Sequence, residues 1–444
     1  MRTSKTALAA AVLCAAAAAW LFHPVLSHRF VNLEDYWLIA DNPHLRALSW
    51  TGLRWMFTSL DYGTYQPLGW LAYALLYAWR GLDPAAFHLA SWLAHAACAA
   101  LLFFTTLRIL RAGSAGEEDG ARGAALAAAV ATALWAVHPA RVEPVAWATG
   151  LPDLLATVFF VAAALAYLRP SVALCFALFV VSSLFRWKGV SLPVVLLALD
   201  VVVLRRPLDR RAWLEKVPFL LAAAAFSVVN ARSKLLLAPG HAFDAGLHTL
   251  AGPVFYLGKL LAPVHLTVDY WVPRSPALAA VFLLLTAGAW SGRRARPALL
   301  GAWLCFAAAL IPSLVMSFRG AVVAHDRSTY LPAMILHAAL AAGLLVLLRA
   351  GPRARAATLA ASAVLAAGLA VLSRAQLPAW RDSESLWRHV LAEPAPPDYA
   401  HLSLAHALLE QGRREEAAVE LREQLRLFPG DRRVEGLARE LSRR

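Results

Sequence analysis

The chain has 444 residues, of which 60% are hydrophobic and 16% are charged, and its formal net charge is +14. A soluble protein carries about a quarter charged residues, so this composition excludes an ordinary soluble enzyme and indicates a chain that lies mostly in lipid. The basic residues fall in short clusters between apolar runs, which is typical of cytoplasmic loops and not of a nucleic-acid-binding face.

The first apolar run, Ala7 to Leu26, follows Arg2 and Lys5 and resembles a signal peptide. It is long enough to span a bilayer, and many more such runs follow. We therefore predict a retained membrane helix with its N-terminus in the cytoplasm.

Apolar runs of spanning length recur as far as residue 374. We predict about eleven membrane helices, near 7–27, 87–107, 123–138, 152–168, 171–186, 190–204, 214–230, 277–291, 298–315, 329–348 and 357–374. The region 171–204 also admits a different division. In this scheme the arginine clusters between helices all lie on the cytoplasmic side, so residues 1–375 form an all-α, polytopic membrane module.

The opposite, extracytoplasmic side receives the loops 28–86, 139–151, 231–276 and 316–328. In the first loop, residues 49–57 place apolar side chains on one helical face after a capping serine, Ser49, which predicts a short interfacial helix. The apolar stretch 250–264 is short, and a crossing there would reverse the arginine pattern. We predict that this stretch is interfacial or re-entrant.

An acidic pair, Glu34-Asp35, lies just past the first apolar segment, within Phe30-Val31-Asn32-Leu33-Glu34-Asp35-Tyr36-Trp37. Carboxylates at a bilayer boundary are tolerated where they face water, a cation or a substrate, so the pair is the first site candidate. The alternative is a hydrated loop whose polar residues cap the next helix.

Several cations and histidines are predicted on the same side as this pair. Those that we assign to binding an anionic, phosphate-bearing substrate are Arg327, Arg186, Arg141, His138, Lys188 and His325, together with Asp269. Arginine binds the phosphate of a leaving group, and a carboxylate can act as general base on the attacking group. Together these residue types suit a reaction in which phosphate leaves. Arg186 and Lys188 are equally compatible with helix-end residues that reach the lipid headgroups.

Neither the four cysteines nor the histidines form a metal-binding pattern, and the glycine-rich phosphate loop and the Gly-x-Ser-x-Gly motif are both missing from the sequence. We predict no metal site. The cofactor is left open, since a carboxylate pair can hold a divalent ion but further ligands are not evident.

The composition becomes that of a soluble protein after about residue 376. Residues 398–429 match the 34-residue period of a tetratricopeptide helical hairpin, with Gly412 at the turn and Pro429 closing the unit. We predict a helical tail over 376–444 that packs on the membrane body or on another subunit, because fewer than three repeats seldom stand alone.

With these residues in hand, the chain resembles bacterial relatives of the transmembrane and tetratricopeptide-repeat O-mannosyltransferases, integral-membrane glycosyltransferases of the GT-C class. The resemblance covers nearly the whole length. Its pieces are the acidic motif at 30–35 with Asp41-Asn42-Pro43, Gln66-Pro67-Leu68, Phe87-His88-Leu89, His138-Pro139 with residues 141–146, Asp153-Leu154-Leu155, residues 256–263 and 266–270, and Asp326-Arg327-Ser328 with residues 329–332.

This resemblance implies transfer of a sugar, mannose in the named family, from a polyprenyl phosphate to an acceptor hydroxyl, with a protein acceptor brought by the tail. The family's pair of aspartates falls on Glu34 and Asp35. Because the first carboxylate is changed to glutamate, Asp35 is preferred as the base. The family's lysine falls on Arg186, and a tyrosine that follows its Asp-Arg pair is replaced by Ser328.

The expected location is a bacterial inner membrane, with the tail in the periplasm. Two other classes stay open: a non-catalytic scaffold whose tail binds protein partners, and a transporter. The transporter is disfavoured because the predicted spans lack buried carboxylates, apart from Asp200 near a helix end. The sugar, the acceptor, the oligomeric state and a need for metal are not disclosed by the sequence.

Overall fold

The computed structural model describes residues 5–112, 118–237, 241–243, 246–318 and 322–442. In this part of the chain the α-helices are α1 Lys5–Phe22, α2 Trp50–Thr58, α3 Pro67–Arg80, α4 Pro84–Ala112, α5 Glu118–Ala136, α6 Val142–Ala146, α7 Leu151–Tyr167, α8 Val172–Phe185, α9 Leu192–Ala198, α10 Arg210–Leu237, α11 Leu247–Leu261, α12 Pro276–Ser291, α13 Pro297–Leu314, α14 Tyr330–Arg349, α15 Pro352–Gln376, α16 Ser383–Leu391, α17 Ala400–Glu410, α18 Arg414–Leu427 and α19 Val434–Ser442.

Each of the eleven predicted membrane segments coincides with a helix, so the prediction of an all-helical polytopic membrane protein is confirmed. Among the described residues, seven helices are long and apolar enough to cross a bilayer, or eight if α5 and its continuation, bent by 67°, form one span. Two more apolar helices, α8 and α12, are shorter. The count of eleven crossings therefore stays a prediction.

Two short antiparallel sheets join loops at one end of the spans. Strand β1, His241–Phe243, pairs with β3, Met316–Phe318. Strand β2, Tyr270–Val272, pairs with β4, Val322–Ala324. The second pairing holds the segment that follows β4 against the chain that precedes β2.

The first long loop contains two helices where the sequence predicted one. Helix α2 begins after Ser49, whose hydroxyl accepts a hydrogen bond from Gly52 N at 3.1 Å, as the capping pattern predicted. Helix α3 was not predicted. Pro67 starts it, and its buried face, which includes Trp70 and Tyr73, packs on α8.

A break at His138-Pro139 separates α5 from α6. Proline lacks the backbone donor that would continue α5, and the ring of His138 accepts a hydrogen bond from Ala140 N at 3.1 Å, which stabilises the new direction. The bend turns the chain from the end of α5 toward the cavity described below.

The C-terminal tail packs on the membrane body, as one of the two predicted alternatives stated. Helices α17 and α18 form a hairpin around Gly412, whose φ of +76° favours glycine. Trp387 and Leu404 belong to the same buried apolar cluster as the spans, and Trp380 lies with its ring centroid 6.2 Å from that of Trp147. The identity of this hairpin as a tetratricopeptide repeat stays a prediction.

Candidate functional site

A cavity of about 300 Å³ lies at the end of the spans where the tail packs. Its walls come from the first loop, the start of α7, the turn after α8, the end of α10, and the segment before α14. The charged and histidine side chains that line it are Glu34, Asp153, Arg186, Lys188, Lys234, His325 and Arg327. Trp37, Tyr62 and Trp187 add aromatic surface. The fold thus brings cations that are far apart in the sequence next to Glu34 of the acidic motif.

Glu34 lines the cavity with a partly exposed side chain. Within the described residues its carboxylate has no ion pair and no hydrogen bond. A free carboxylate in a cavity of cations is available to accept a proton from a substrate.

Asp35 faces away from the cavity and is completely buried. Its carboxylate accepts hydrogen bonds from Val31 N at 3.0 Å, from Thr149 N at 2.9 Å and from Thr149 Oγ1 at 2.8 Å. Burial raises the pKa of Asp35 to about 7, and these hydrogen bonds oppose the rise. The carboxylate oxygens of Asp35 are hydrogen-bonded to protein and do not line the cavity, so the structure favours Glu34 as the group that faces a substrate, and the role of either as base stays a prediction.

The tail fixes the same loop from the other side. Asn32 donates through Nδ2 to the Ser403 carbonyl at 2.9 Å and accepts from Trp387 Nε1 at 2.5 Å, while its backbone N donates to Ser383 Oγ at 2.9 Å. Glu34 thus lies between two anchored residues, Asn32 and Asp35, which together hold its side chain toward the cavity.

Asp153, in the first turn of α7, joins two cations of the cavity wall. Its carboxylate oxygens lie 3.1 Å from Arg186 Nε and 2.9 Å from Lys188 Nζ. Arg186 also donates to Thr64 Oγ1 at 3.2 Å and to the Gln66 side chain. The sequence analysis placed Arg186 and Lys188 at the site, and both line the cavity. It did not identify Asp153 as their shared partner.

Arg327 is held by Glu143 of α6. The carboxylate of Glu143 accepts from Arg327 N at 2.9 Å and also pairs with the guanidinium group. The Arg327 guanidinium carbon lies 4.6 Å from the centroid of the Trp147 ring. These contacts fix the direction of Arg327 while it lines the cavity.

Lys234 completes the cations of the cavity. The helix predicted from the apolar run ends at residue 230, whereas α10 continues to Leu237 and places Lys234 on the cavity wall. Its ammonium group makes no ion pair or hydrogen bond with any residue that the structure describes. An unpaired, partly buried cation is costly unless an anion occupies the site.

Two predicted phosphate-binding residues do not line the cavity. His138 has both ring nitrogens bonded within the protein, Nδ1 to Ala140 N and Nε2 to the Leu260 carbonyl at 2.9 Å. Arg141 is fully buried, and its Nη2 donates to Thr329 Oγ1 at 3.1 Å. The bend at residue 138 turns both side chains inward, away from the cavity, and their expected contact with a substrate stays a prediction.

His325 lines the cavity, and Asp269 stands behind it. Asp269 Oδ1 lies 3.1 Å from His325 Nε2, and Asp269 Oδ2 accepts a hydrogen bond from the hydroxyl of Tyr399 in the tail. Asp269 does not itself line the cavity. Its expected part in donor binding stays a prediction, and what the structure shows is its contact with His325.

Within the described ranges no group of three His, Cys, Asp or Glu side chains is arranged to hold a metal ion. The charged groups that face the cavity are mostly cations, which suits an anionic ligand. Fold and cavity together define a polytopic helical membrane protein with a cation-rich cavity at the end of its spans.

Comparison of the sequence with curated proteins finds two similar O-mannosyltransferases. The chain is 30% identical over 171 residues to Protein O-mannosyl-transferase TMTC1 of Mus musculus and 31% identical over 171 residues to that of Homo sapiens. Each match covers 36% of this chain, and it covers 17% of the mouse protein and 18% of the human protein. The chain therefore spans less than a fifth of the length of these relatives. No family model matches.

Two solved structures are also similar. Crystal structures of ArnT from Cupriavidus metallidurans, bound to undecaprenyl phosphate and in the apo state, give TM-scores of 0.39 and 0.38 with 17% and 18% sequence identity. Each covers 92% of this chain, and the chain covers 74% and 73% of ArnT. The sequence match supports the resemblance over 171 residues: this part of the chain is similar to proteins named O-mannosyl-transferases.

Proposed function

We propose that this protein is a membrane glycosyltransferase that moves a sugar from a polyprenyl phosphate to an acceptor hydroxyl. The observation that carries the proposal is a cavity lined by both the carboxylate of Glu34 and the ammonium group of Lys234, neither of which has an ion pair among the residues that the structure describes. The carboxylate of Glu34 can accept the proton that an acceptor hydroxyl loses. The ammonium group of Lys234 can stabilise the negative charge that a leaving phosphate gains. The similarity to proteins named O-mannosyl-transferases supports mannose as the sugar and protein as the acceptor.

In the reaction the acceptor oxygen forms a bond to the anomeric carbon, and the bond between that carbon and the phosphate oxygen breaks with its electron pair on the phosphate. The hydroxyl proton passes to Glu34. A positioned base of this kind contributes about 100- to 10,000-fold. Asp35 acts through the loop, because its hydrogen bonds with Val31 and Thr149 hold Glu34 in place.

The leaving phosphate gains one negative charge as the bond breaks. Lys234, Lys188, Arg186 and Arg327 already line the cavity, so they stabilise this charge without rearranging. Removing one such preorganised group from an active site typically costs about 100- to 1,000-fold in rate. Arg186 and Lys188 share one counter-ion, Asp153, and thus retain net positive charge.

The cavity and the tail lie at the ends of α14 and α15 that are opposite to Arg349, Arg353 and Arg355. If those arginines are cytoplasmic, the reaction takes place at the extracytoplasmic face, which in a bacterium is the periplasmic side of the inner membrane. The polyprenyl chain then stays in the bilayer while its phosphate enters the cavity.

The proposal is tested by measuring sugar transfer in membranes that contain the protein. The donors are radiolabelled mannose, glucose and galactose, each linked to undecaprenyl phosphate. We expect Glu34→Gln to lower kcat by about 100-fold or more. Lys234→Gln should weaken both transfer and the binding of undecaprenyl phosphate, measured by native mass spectrometry. The matched control is Lys259→Gln, since Lys259 lies outside the cavity and donates to the carbonyls of Val264 and His265.

Full transfer by Glu34→Gln would overturn the assignment of the base. Equal loss of phosphate binding in the Lys234 and Lys259 variants would remove the cavity as the phosphate site. If the wild type transfers none of the three sugars and does not bind undecaprenyl phosphate, the proposal is wrong and a non-catalytic scaffold is favoured.

A further inference from the structure

Asp269 and His325 are brought together by the register of a two-stranded sheet. Tyr270 of β2 pairs with Ala324 of β4, and the strands are antiparallel. One residue further along this ladder, Asp269 therefore lies opposite His325, at the distance where cross-strand side chains interact. The contact of 3.1 Å between Asp269 Oδ1 and His325 Nε2 follows from this register.

The carboxylate of Asp269 determines which nitrogen of His325 carries a proton. Burial raises the pKa of Asp269, but the hydrogen bond and charge of His325, the hydrogen bond from Tyr399 and the charge of Arg327 outweigh burial, so the net pKa is lowered. An ionised carboxylate is an acceptor only, so Nε2 of His325 is the donor in this contact. In the neutral ring Nδ1 is then an acceptor, and it has no hydrogen-bond partner among the described residues.

The tail holds Asp269 from its other side. Tyr399 directly precedes α17, and its hydroxyl donates to Asp269 Oδ2. The ring of Tyr399 packs edge-on against Trp387, with 5.5 Å between centroids. A chain of contacts thus runs from the tail through Tyr399 and Asp269 to His325 on the cavity wall.

We propose that His325 binds a substrate hydroxyl in the cavity through Nδ1, and that Asp269 and Tyr399 are positioning residues that fix the His325 ring for this contact. The hydroxyl belongs either to the acceptor or to the transferred sugar. The inference rests on the proposed glycosyl transfer, and it makes the tail a part of the site in addition to any role in recruiting an acceptor.

Three variants test this chain of contacts in the full-length protein, with the three radiolabelled donors used above. We expect His325→Ala to lower kcat/KM by about 100-fold and imidazole added to the assay to restore part of the loss, because a residue that only supports the fold is not rescued in this way. Asp269→Asn should have an effect close to that of His325→Ala, since an amide can also donate to Nε2 and reverse the ring's proton arrangement.

Tyr399→Phe keeps the ring on Trp387 and removes only the hydroxyl, for which we expect a loss of about tenfold. The matched control is Tyr36→Phe. The Tyr36 hydroxyl also joins the first loop to the tail, through Glu410 at 3.0 Å, but it does not contact Asp269. This control should lose less activity than Tyr399→Phe, because its hydroxyl does not hold Asp269.

The kinetic constants identify the hydroxyl. A loss that appears in the KM for the donor assigns it to the sugar, whereas a loss in kcat at unchanged donor KM assigns it to the acceptor. Wild-type transfer by His325→Ala, or equal losses in the Tyr399 and Tyr36 variants, would overturn the inference. Glu34→Gln separates the two proposals: if it is inactive while His325→Ala is fully active, glycosyl transfer stands and only the role of His325 fails.

Discussion

Thr149 donates two hydrogen bonds to the carboxylate of Asp35, from its backbone N at 2.9 Å and from its hydroxyl at 2.8 Å. This contact joins the first loop to the turn that precedes α7, the helix that carries Asp153. The start of α7 also lines the cavity. The buried carboxylate of Asp35 therefore connects the first loop to α7, two parts of the cavity wall, although Asp35 itself does not line the cavity. Glu34, the adjacent residue, is free to face the substrate.

The pKa of Asp35 predicts how stability depends on pH. A carboxyl group whose pKa is raised by folding binds its proton more tightly in the folded state, so its contribution is largest below the unfolded value of 3.8 and is lost as pH rises toward about 7. The full change in the free energy of unfolding is roughly 4 kcal/mol, because each tenfold difference in proton affinity between the folded and unfolded states corresponds to about 1.4 kcal/mol. Asp35→Asn removes this dependence.

Thermal unfolding of the wild type and of Asp35→Asn at pH 5, 6, 7 and 8 measures the effect. The advantage of the wild type over the variant should shrink from pH 5 to pH 7 and then level off. An advantage that does not change with pH would mean that Asp35 is ionised through the whole range. Thr149→Val, which removes one donor to the ionised form, should raise the pKa of folded Asp35 further and extend the dependence to higher pH.

Asp153 carries a second prediction, because its carboxylate is the shared partner of Arg186 and Lys188. Its side chain is 3% exposed, and removing the charge leaves two cations close together. We expect Asp153→Asn to lower the free energy of unfolding by about 3–5 kcal/mol. Undecaprenyl phosphate should raise the unfolding temperature of this variant more than that of the wild type, since a bound phosphate replaces the missing anion.

Asp382→Asn is the control for Asp153. Asp382 pairs with Arg381 at the protein surface, where the arginine side chain is 63% exposed, and such pairs contribute about 0–1 kcal/mol. Equal losses in the two variants, or an Asp153 variant that does not respond to undecaprenyl phosphate, would contradict the prediction.

The membrane segments could be predicted from the sequence because apolar length and arginine clusters are local properties. The orientation of Glu34 and Asp35 could not, since it depends on Thr149, more than a hundred positions away. Lys234 was placed in a loop because its neighbours are polar enough to end a hydrophobic run, although α10 continues past it. The set of charged residues that line the cavity is determined by packing between segments that are far apart in the sequence, which local patterns do not reveal.

The acidic and basic residues at the other end of the spans also form a cluster that the sequence did not reveal. Lys216 Nζ lies 2.8 Å from Asp200 and 2.8 Å from Glu215, and Arg206 contacts both carboxylates at 3.1 Å. Asp200 and Lys216 are completely buried. Asp200 thus has two cationic partners, which accounts for a carboxylate at a helix end without invoking ion transport.

Because both charges are buried, removal of one partner leaves the other unpaired. We expect Lys216→Met to lower the free energy of unfolding by about 3–5 kcal/mol, and the double variant Asp200→Asn/Lys216→Met to lose less than the sum of the two single variants. Chemical unfolding of the purified protein in detergent measures the three losses. The exposed pair Arg413 and Glu416 is the control, and its variants should lose much less stability than Lys216→Met, because solvent screens the pair. Strict additivity of the two buried changes would show that the pair is not coupled.

The orientation of the chain is the last prediction, and it follows from the ends of two adjacent helices. Helix α14 begins just after Arg327 of the cavity, and α15 ends at Gln376, just before the tail. The opposite ends of the two helices carry Arg349, the last residue of α14, and Arg353 and Arg355 in the first turn of α15, all exposed. Since such clusters stay in the cytoplasm, the cavity and the tail are expected on the periplasmic side of a bacterial inner membrane.

Alkaline phosphatase fused after Arg381 should therefore be active, and green fluorescent protein fused there should be dark after export through the Sec route. The matched fusions in the α14–α15 connection, after Ala350, should show the reverse. An active phosphatase after Ala350 together with fluorescence after Arg381 would invert the topology and place the proposed transfer in the cytoplasm.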